Sequence, residues 1–80
     1  MKYTSVRVVS GGGSPEAGAR VSIYVSQFAA SGSVDDQYTD SNGEADFSLD
    51  IDDGAEITVY VNGQERIGRG AVRSNYTVSI

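Results

Sequence analysis

Acidic side chains concentrate at two turns of the sequence, and they are the residues best suited to bind a metal ion. Asp40 opens the segment 40–43 (DSNG), and Asp52 and Asp53 follow the next apolar stretch. Calcium prefers carboxylate and carbonyl oxygens, so Asp40, Asp52 and Asp53 are candidate calcium ligands. Residues 40–44, however, lack the full series of ligand residues, with its distal Glu, that a calcium-binding loop has. Asp40 can instead accept hydrogen bonds from its own turn, and this structural interpretation is preferred.

Two tyrosines occupy positions where an exposed aromatic ring could bind a ligand. Tyr24 and Tyr60 are both out of phase with the apolar residues around them, so both rings are predicted on the outer side of a sheet. An exposed aromatic ring can stack on a sugar or anchor a protein partner. Such rings can also simply stabilise the sheet surface, which is the simpler interpretation and the one the sequence favours.

The side chains that most catalytic mechanisms need are missing from the chain. It contains no His, which removes the commonest general base, and no Cys, which removes disulfides and thiolate metal sites. A nucleophilic serine needs an activating base, and the pattern places no pair of carboxylates in an apolar pocket. We therefore expect a protein that is not an enzyme and that has no cofactor apart from the calcium considered above.

The charge of the chain argues against a nucleic-acid partner. Its 80 residues include 11 acidic and 6 basic side chains, which gives a formal net charge of -5. An acidic chain repels the phosphate backbone, and the arginines at positions 66, 69 and 73 are expected to be solvated surface.

Targeting and membrane segments are also not expected. No apolar run reaches the length of a transmembrane helix, so no membrane insertion is predicted, and residues 1–9 do not read as a signal peptide. The chain would be cytoplasmic if complete as given, and extracytoplasmic if it were a module of a larger secreted protein.

Short β-strands are the elements that would position these side chains. The chain has ten glycines and no segment with helical apolar periodicity. Apolar and polar residues instead alternate, most clearly at Ala45, Phe47, Leu49 and Ile51, as in a half-buried strand. The predicted strands are residues 2–9, 19–26, 37–39, 45–51, 56–61, 64–68 and 71–80, and Asn62-Gly63 predicts a type I′ hairpin turn.

One domain spanning residues 1–80 is expected, with an apolar layer between two sheets. The residues predicted to face inward are Val6, Val8, Ala19, Val21, Ile23, Val25, Phe47, Leu49, Ile57, Val59, Val61, Val72, Val78 and Ile80. Tyr38 and Tyr76 are predicted to pack at the margins of the sandwich.

The order of motifs resembles the carboxypeptidase regulatory-like domain, also called the transthyretin-like or prealbumin-like β-sandwich. The residues that carry the resemblance are Pro15, Gly18, Ala19, Val21, Thr39, Asp40, Gly43 and Phe47. The chain departs from the family pattern by one inserted residue between Gly43 and Phe47, a spacing that bacterial Ig-like repeats share, so that family is the second choice.

The resemblance implies an all-β fold, a seven-stranded Greek-key β-sandwich, in which the strands of Tyr24 and Tyr60 are neighbours. It also implies a non-catalytic accessory or structural module that contacts a protein partner or other domains of its parent protein. The alternative is a small ligand-binding module, for carbohydrate through Tyr24 and Tyr60 or for calcium through the acidic turns.

Overall fold

Seven β-strands form the regular structure in a computed structural model, which describes residues 2–26, 31–51 and 54–80. In chain order they are β1 (Lys2–Val9), β2 (Arg20–Ser26), β3 (Ser31–Tyr38), β4 (Glu44–Leu49), β5 (Glu56–Val61), β6 (Gln64–Ala71) and β7 (Asn75–Ser79). They form a three-stranded sheet in the order β4-β1-β7 and a four-stranded sheet in the order β3-β2-β5-β6. β1 and β7 are parallel, and the other pairs are antiparallel.

The apolar residues of both sheets form one hydrophobic core. In β1, for example, Val6 and Val8 are fully buried while Arg7 between them is exposed, because successive side chains of a strand point to opposite faces. Every residue predicted to face inward is buried, except Val72 and Ile80, which pack half-buried against the core. The prediction of an all-β chain with two sheets around one core is therefore confirmed, and the architecture is that of a β-sandwich.

The turn between β5 and β6 has the predicted geometry. Asn62 and Gly63 both have positive φ, 52° and 83°, as the two central residues of a type I′ turn require. Asn62 also joins this turn to β2, because its side-chain Oδ1 accepts the N–H of Arg20 at 3.0 Å and its own N–H donates to the Arg20 carbonyl at 2.8 Å.

The buried residue Thr39 forms hydrogen bonds that connect the segment before β4 to the segment before β2. The Thr39 hydroxyl accepts the Ala19 N–H at 2.9 Å and donates to the Glu16 carbonyl at 2.5 Å. The Thr39 backbone adds a hydrogen bond from its N–H to the Ala19 carbonyl and another from the Gly18 N–H to its carbonyl. Thr39 is therefore part of the fold's internal bonding and not a free surface hydroxyl.

The third strand is longer than the sequence predicts. β3 spans Ser31–Tyr38, whereas only residues 37–39 were expected to be extended. Most of its residues are polar, and Val34 packs half-buried against the core opposite Ile23. An edge strand needs little apolar alternation because backbone pairing with its single neighbour, here β2, holds it in place.

The boundary between the last two strands also differs from the prediction. β6 runs on to Ala71, and β7 begins only at Asn75, so residues 72–74 form a corner instead of the start of the last strand. Tyr76 holds this corner, since its hydroxyl accepts the Arg73 N–H at 3.0 Å and donates to the Ala71 carbonyl at 3.3 Å. Thr4 adds a hydrogen bond from its hydroxyl to the Arg73 carbonyl at 2.6 Å. Side chains thus replace strand pairing as the partners of this backbone.

Candidate binding surfaces

The Asp40 carboxylate stabilises its own turn. Its Oδ1 accepts the backbone N–H of Asn42 at 2.8 Å and that of Glu44 at 3.0 Å. Gly43, the last residue of the turn, has a φ of 77° and donates its N–H to the Asp40 carbonyl at 2.9 Å. These contacts are the turn hydrogen bonds that were expected for Asp40 on sequence grounds.

Calcium binding stays a prediction. Asp52 and Asp53 lie outside the described residues. Within residues 2–26, 31–51 and 54–80, no group of three or more acidic side chains is placed to hold a metal ion.

Tyr24 and Tyr60 lie on the same outer face of the four-stranded sheet. Their strands, β2 and β5, are antiparallel neighbours, with Tyr24 opposite Thr58 and Tyr60 opposite Ser22. The two tyrosines are therefore diagonal across the strand pair, with Cα atoms about 7–8 Å apart, and not directly opposite. Tyr24 is 37% exposed, whereas Thr58 is only 9% exposed and is thus covered by its neighbours on this face.

A third tyrosine extends this surface onto the edge strand. Tyr38 is opposite Arg20 in the register of β2 and β3, so it shares the outer face with Tyr24 and Tyr60. It lies on the edge strand, at the predicted margin of the sandwich, but it is 65% exposed and so does not pack there. Tyr76, predicted at the margin too, is buried in the core at 4% exposure. We call Tyr24, Tyr38 and Tyr60 the tyrosine face.

Charged and polar side chains surround the tyrosine face. Arg20 lies within 3.8 Å of Asp36 across the edge of the sheet, measured from Nε to Oδ2, and both side chains are close to half exposed. Ser22 lies between Tyr24 and Arg20 on β2. The arrangement combines aromatic rings with hydrogen-bonding groups and an ion pair.

A separate open cleft lies on the three-stranded sheet, and sequence reasoning missed it. Its volume is about 610 Å³, and its lining residues are Tyr3, Thr4, Ser5, Gln37, Asp46, Phe47 and Ser48. Tyr3 is 71% exposed and stands opposite Ser48, while the Ser5 hydroxyl donates to the Asp46 carboxylate at 2.6 Å. The alternation of β1 already placed Tyr3 and Ser5 on one face. The pairing of β1 with β4 and the approach of Gln37 from β3 could not be read from the sequence.

Comparisons with known proteins assign the chain to no family. No protein-family model matches the sequence, and no curated protein is significantly similar to it. The part of the chain that the structure describes contains no helix that is both long and apolar enough to cross a membrane.

Proposed function

We propose that this protein is a non-catalytic β-sandwich module that binds a protein partner through the tyrosine face. The observation that carries the proposal is the placement of Tyr24, Tyr38 and Tyr60 on one outer face, across three adjacent strands. Strands in a sheet are about 4.8 Å apart, so the three tyrosines extend over about 10 Å across the sheet.

Residue chemistry supports a protein as the partner. Tyrosine and arginine are enriched among the residues that dominate binding energy at protein interfaces. Tyr24 and Tyr38 bring large aromatic area with few rotatable bonds, and Arg20 beside them offers a planar group with several donors. A ring that is partly exposed in the free protein gains most when a partner excludes water from it.

The use of the buried polar side chains supports a non-catalytic module. The buried hydroxyls of Thr4 and Thr39 both bond to backbone groups that lie outside strand ladders. No buried side-chain nitrogen or oxygen of the described residues lacks a hydrogen-bond partner. An active site usually leaves polar groups unpaired and ready for substrate, and the sequence contains no His to act as general base.

We also propose a Greek-key arrangement of the prealbumin-like kind. The path of the chain supports it, since β1 and β4 are paired in one sheet while β2 and β3, which lie between them in sequence, are paired in the other. The roles of Thr39, Asp40 and Gly43 support it as well, because the motif residues of the resemblance serve turn and backbone contacts here.

Comparative capture of partners tests the proposal. The wild-type chain, the double variant Tyr24→Ala/Tyr60→Ala and the control variant Tyr3→Ala are immobilised and exposed to the proteome of the source cell. We expect at least one protein that binds the wild type and Tyr3→Ala but not the double variant, with circular dichroism showing that all three chains are folded. Partners retained equally by all three chains would contradict a role for the tyrosine face.

Carbohydrate binding is the second candidate function, and the cleft beside Tyr3 favours it. An exposed ring next to a carboxylate and hydroxyls offers both the stacking surface and the hydrogen-bonding groups that a sugar needs. An amide NMR titration with a panel of neutral oligosaccharides tests it. Shifts that Tyr3→Ala abolishes would assign binding to the cleft, whereas shifts that Tyr24→Ala abolishes would assign it to the tyrosine face. A spectrum unchanged by every sugar would rule this function out for the panel.

A further inference from the structure

The four edge strands of the two sheets differ in how they are protected from pairing with another chain. Natural proteins protect exposed edges with charged side chains, bulges or proline. Three of the edge strands carry charged side chains: Asp35 and Asp36 on β3, Glu44 and Asp46 on β4, and Glu65, Arg66 and Arg69 on β6. The pairing of β3 also has one register shift, and that of β6 has two. The fourth, β7 (NYTVS), contains neither charge nor proline and pairs with β1 without a register shift.

Among the described residues, no other strand pairs with the outer edge of β7. Ile80 donates its N–H to the Val9 carbonyl at 2.9 Å, and the Ser74 carbonyl accepts the Ser5 N–H at 3.0 Å. Since the hydrogen-bonding direction alternates along a strand, the even-numbered residues of β7 bond to β1. The N–H and C=O groups of Asn75, Thr77 and Ser79 consequently point away from β1, toward the free edge.

The space beside β7 is one strand wide. β3 lies against β4 at one side of the sandwich, so the four-stranded sheet extends one strand, β6, beyond β7 at the other side. β6 is accordingly exposed along most of its length, and its apolar residue Ile67 is only half-buried. Val72, in the corner after β6, is half-buried as well. An added strand would lie opposite β6 and cover Ile67.

We propose that β7 is a docking edge for a single extended segment of a partner protein, which adds a fourth strand to the three-stranded sheet. This edge is separate from the tyrosine face, which lies on the other sheet. The segment would bond to the outward backbone groups of Asn75, Thr77 and Ser79 and place alternate apolar side chains over Ile67. Its remaining side chains would be neutral or basic, which suits a chain of net charge -5.

The position of β6, which extends beyond β7, argues against a second copy of this chain as the partner that pairs with β7. Two copies joined through their β7 edges would each bring a four-stranded sheet that reaches past the three-stranded one. The β6 strand of each copy would then occupy the place of the other copy's β5. A lone extended segment brings no second layer and meets no such obstacle.

Hydrogen exchange with a probe peptide tests the proposal. The probe is the octapeptide KTVTVTVK, in which valines alternate with threonines, and the control peptide carries proline in place of its central threonine. We expect the probe to slow exchange of the Asn75, Thr77 and Ser79 amides several-fold, whereas the control does not. The amides of Tyr76 and Val78, already paired with β1, should be protected throughout and serve as the internal reference.

A protein variant separates docking at β7 from general association with the peptide. Thr77→Pro removes the central N–H of the free edge, a position where a strand tolerates proline. We expect this variant to lose the effect of the probe, and Ser48→Pro on the opposite edge strand β4 to keep it, with circular dichroism confirming the fold. If Ser48→Pro unfolds, Ser48→Lys replaces it. Unchanged exchange of the Thr77 amide at millimolar probe would overturn the proposal, as would protection that arises from self-association without probe.

Discussion

Individual side chains of the segment between β3 and β4 work mainly for the fold. Asp40 was a candidate calcium ligand, yet its carboxylate bonds to the backbone of its own turn, and the Thr39 hydroxyl bonds to the backbone of the segment before β2. Gly43 is buried, has positive φ and lies where a Cβ atom would be 2.6 Å from the Val8 carbonyl oxygen. The turn and its glycine could be predicted from residue types. The contacts of Gly43 and Thr39 across the chain could not, because they depend on how distant segments meet.

Replacing Thr39 with valine should destabilise the protein by about 1–3 kcal/mol, because the Ala19 N–H and the Glu16 carbonyl would lose their partner in a buried site. Urea denaturation followed by circular dichroism measures the effect. Thr39→Ser keeps the hydroxyl and should recover most of the loss. A valine variant as stable as the wild type would show that the hydroxyl contributes nothing to stability.

Gly43→Ala should be more destabilising than Gly18→Ala. The two glycines have nearly the same φ, 77° and 76°, so the conformational cost of a side chain, about 1–2 kcal/mol, is shared. Only at Gly43 would the new Cβ clash with backbone, since nothing lies within 4 Å of the same position at Gly18. The difference between their unfolding free energies isolates the clash. Equal losses of unfolding free energy in the two variants would mean that the Val8 backbone shifts to accommodate the new Cβ at no energetic cost.

At the scale of the elements, prediction succeeds where apolar alternation is strong. The bounds of β1 and β5 agree with the predicted strands, and the hairpin at Asn62-Gly63 has the predicted turn. β3 and the corner before β7 were misjudged. β3 is held mainly by backbone pairing with β2, and the corner is interrupted by hydrogen bonds from the Tyr76 side chain. Neither effect leaves a periodic signal in the sequence.

Tyr76→Phe should destabilise the corner between β6 and β7 by about 1–2 kcal/mol, because the Arg73 N–H and the Ala71 carbonyl lose the hydroxyl between them. Thermal unfolding measures the change. Tyr3→Phe removes a hydroxyl from a side chain that is 71% exposed and should leave stability nearly unchanged. If the two variants had the same melting temperature, the Tyr76 hydroxyl would not stabilise the corner.

For the whole molecule, the proposed binding surfaces lie on different sheets of the sandwich. The four-stranded sheet carries the tyrosine face, and the three-stranded sheet carries the cleft beside Tyr3 and the free edge of β7. The alternation of β2 and β5 was enough to predict that Tyr24 and Tyr60 point outward. The contribution of Tyr38 could not be predicted, because it depends on the length of β3 and on its register with Arg20.

Loss of Tyr24 and Tyr60, the tyrosines on the two inner strands of the sheet, should weaken partner binding more than about tenfold, since aromatic residues at the centre of an interface commonly contribute 2 kcal/mol or more. Calorimetric titration of a captured partner into the Tyr24→Ala/Tyr60→Ala variant measures the loss. Arg7→Ala, which removes an exposed side chain from the other sheet, is the matched control and should bind as the wild type does.

The most direct test of the tyrosine face is an amide NMR map of the isotope-labelled chain with that partner. We expect the largest shifts on β2, β3 and β5, at Ser22, Tyr24, Tyr38 and Tyr60, with the amides of β1 and β4 nearly unmoved. A footprint centred on Tyr3 and Asp46, with the tyrosine face unmoved, would contradict this expectation.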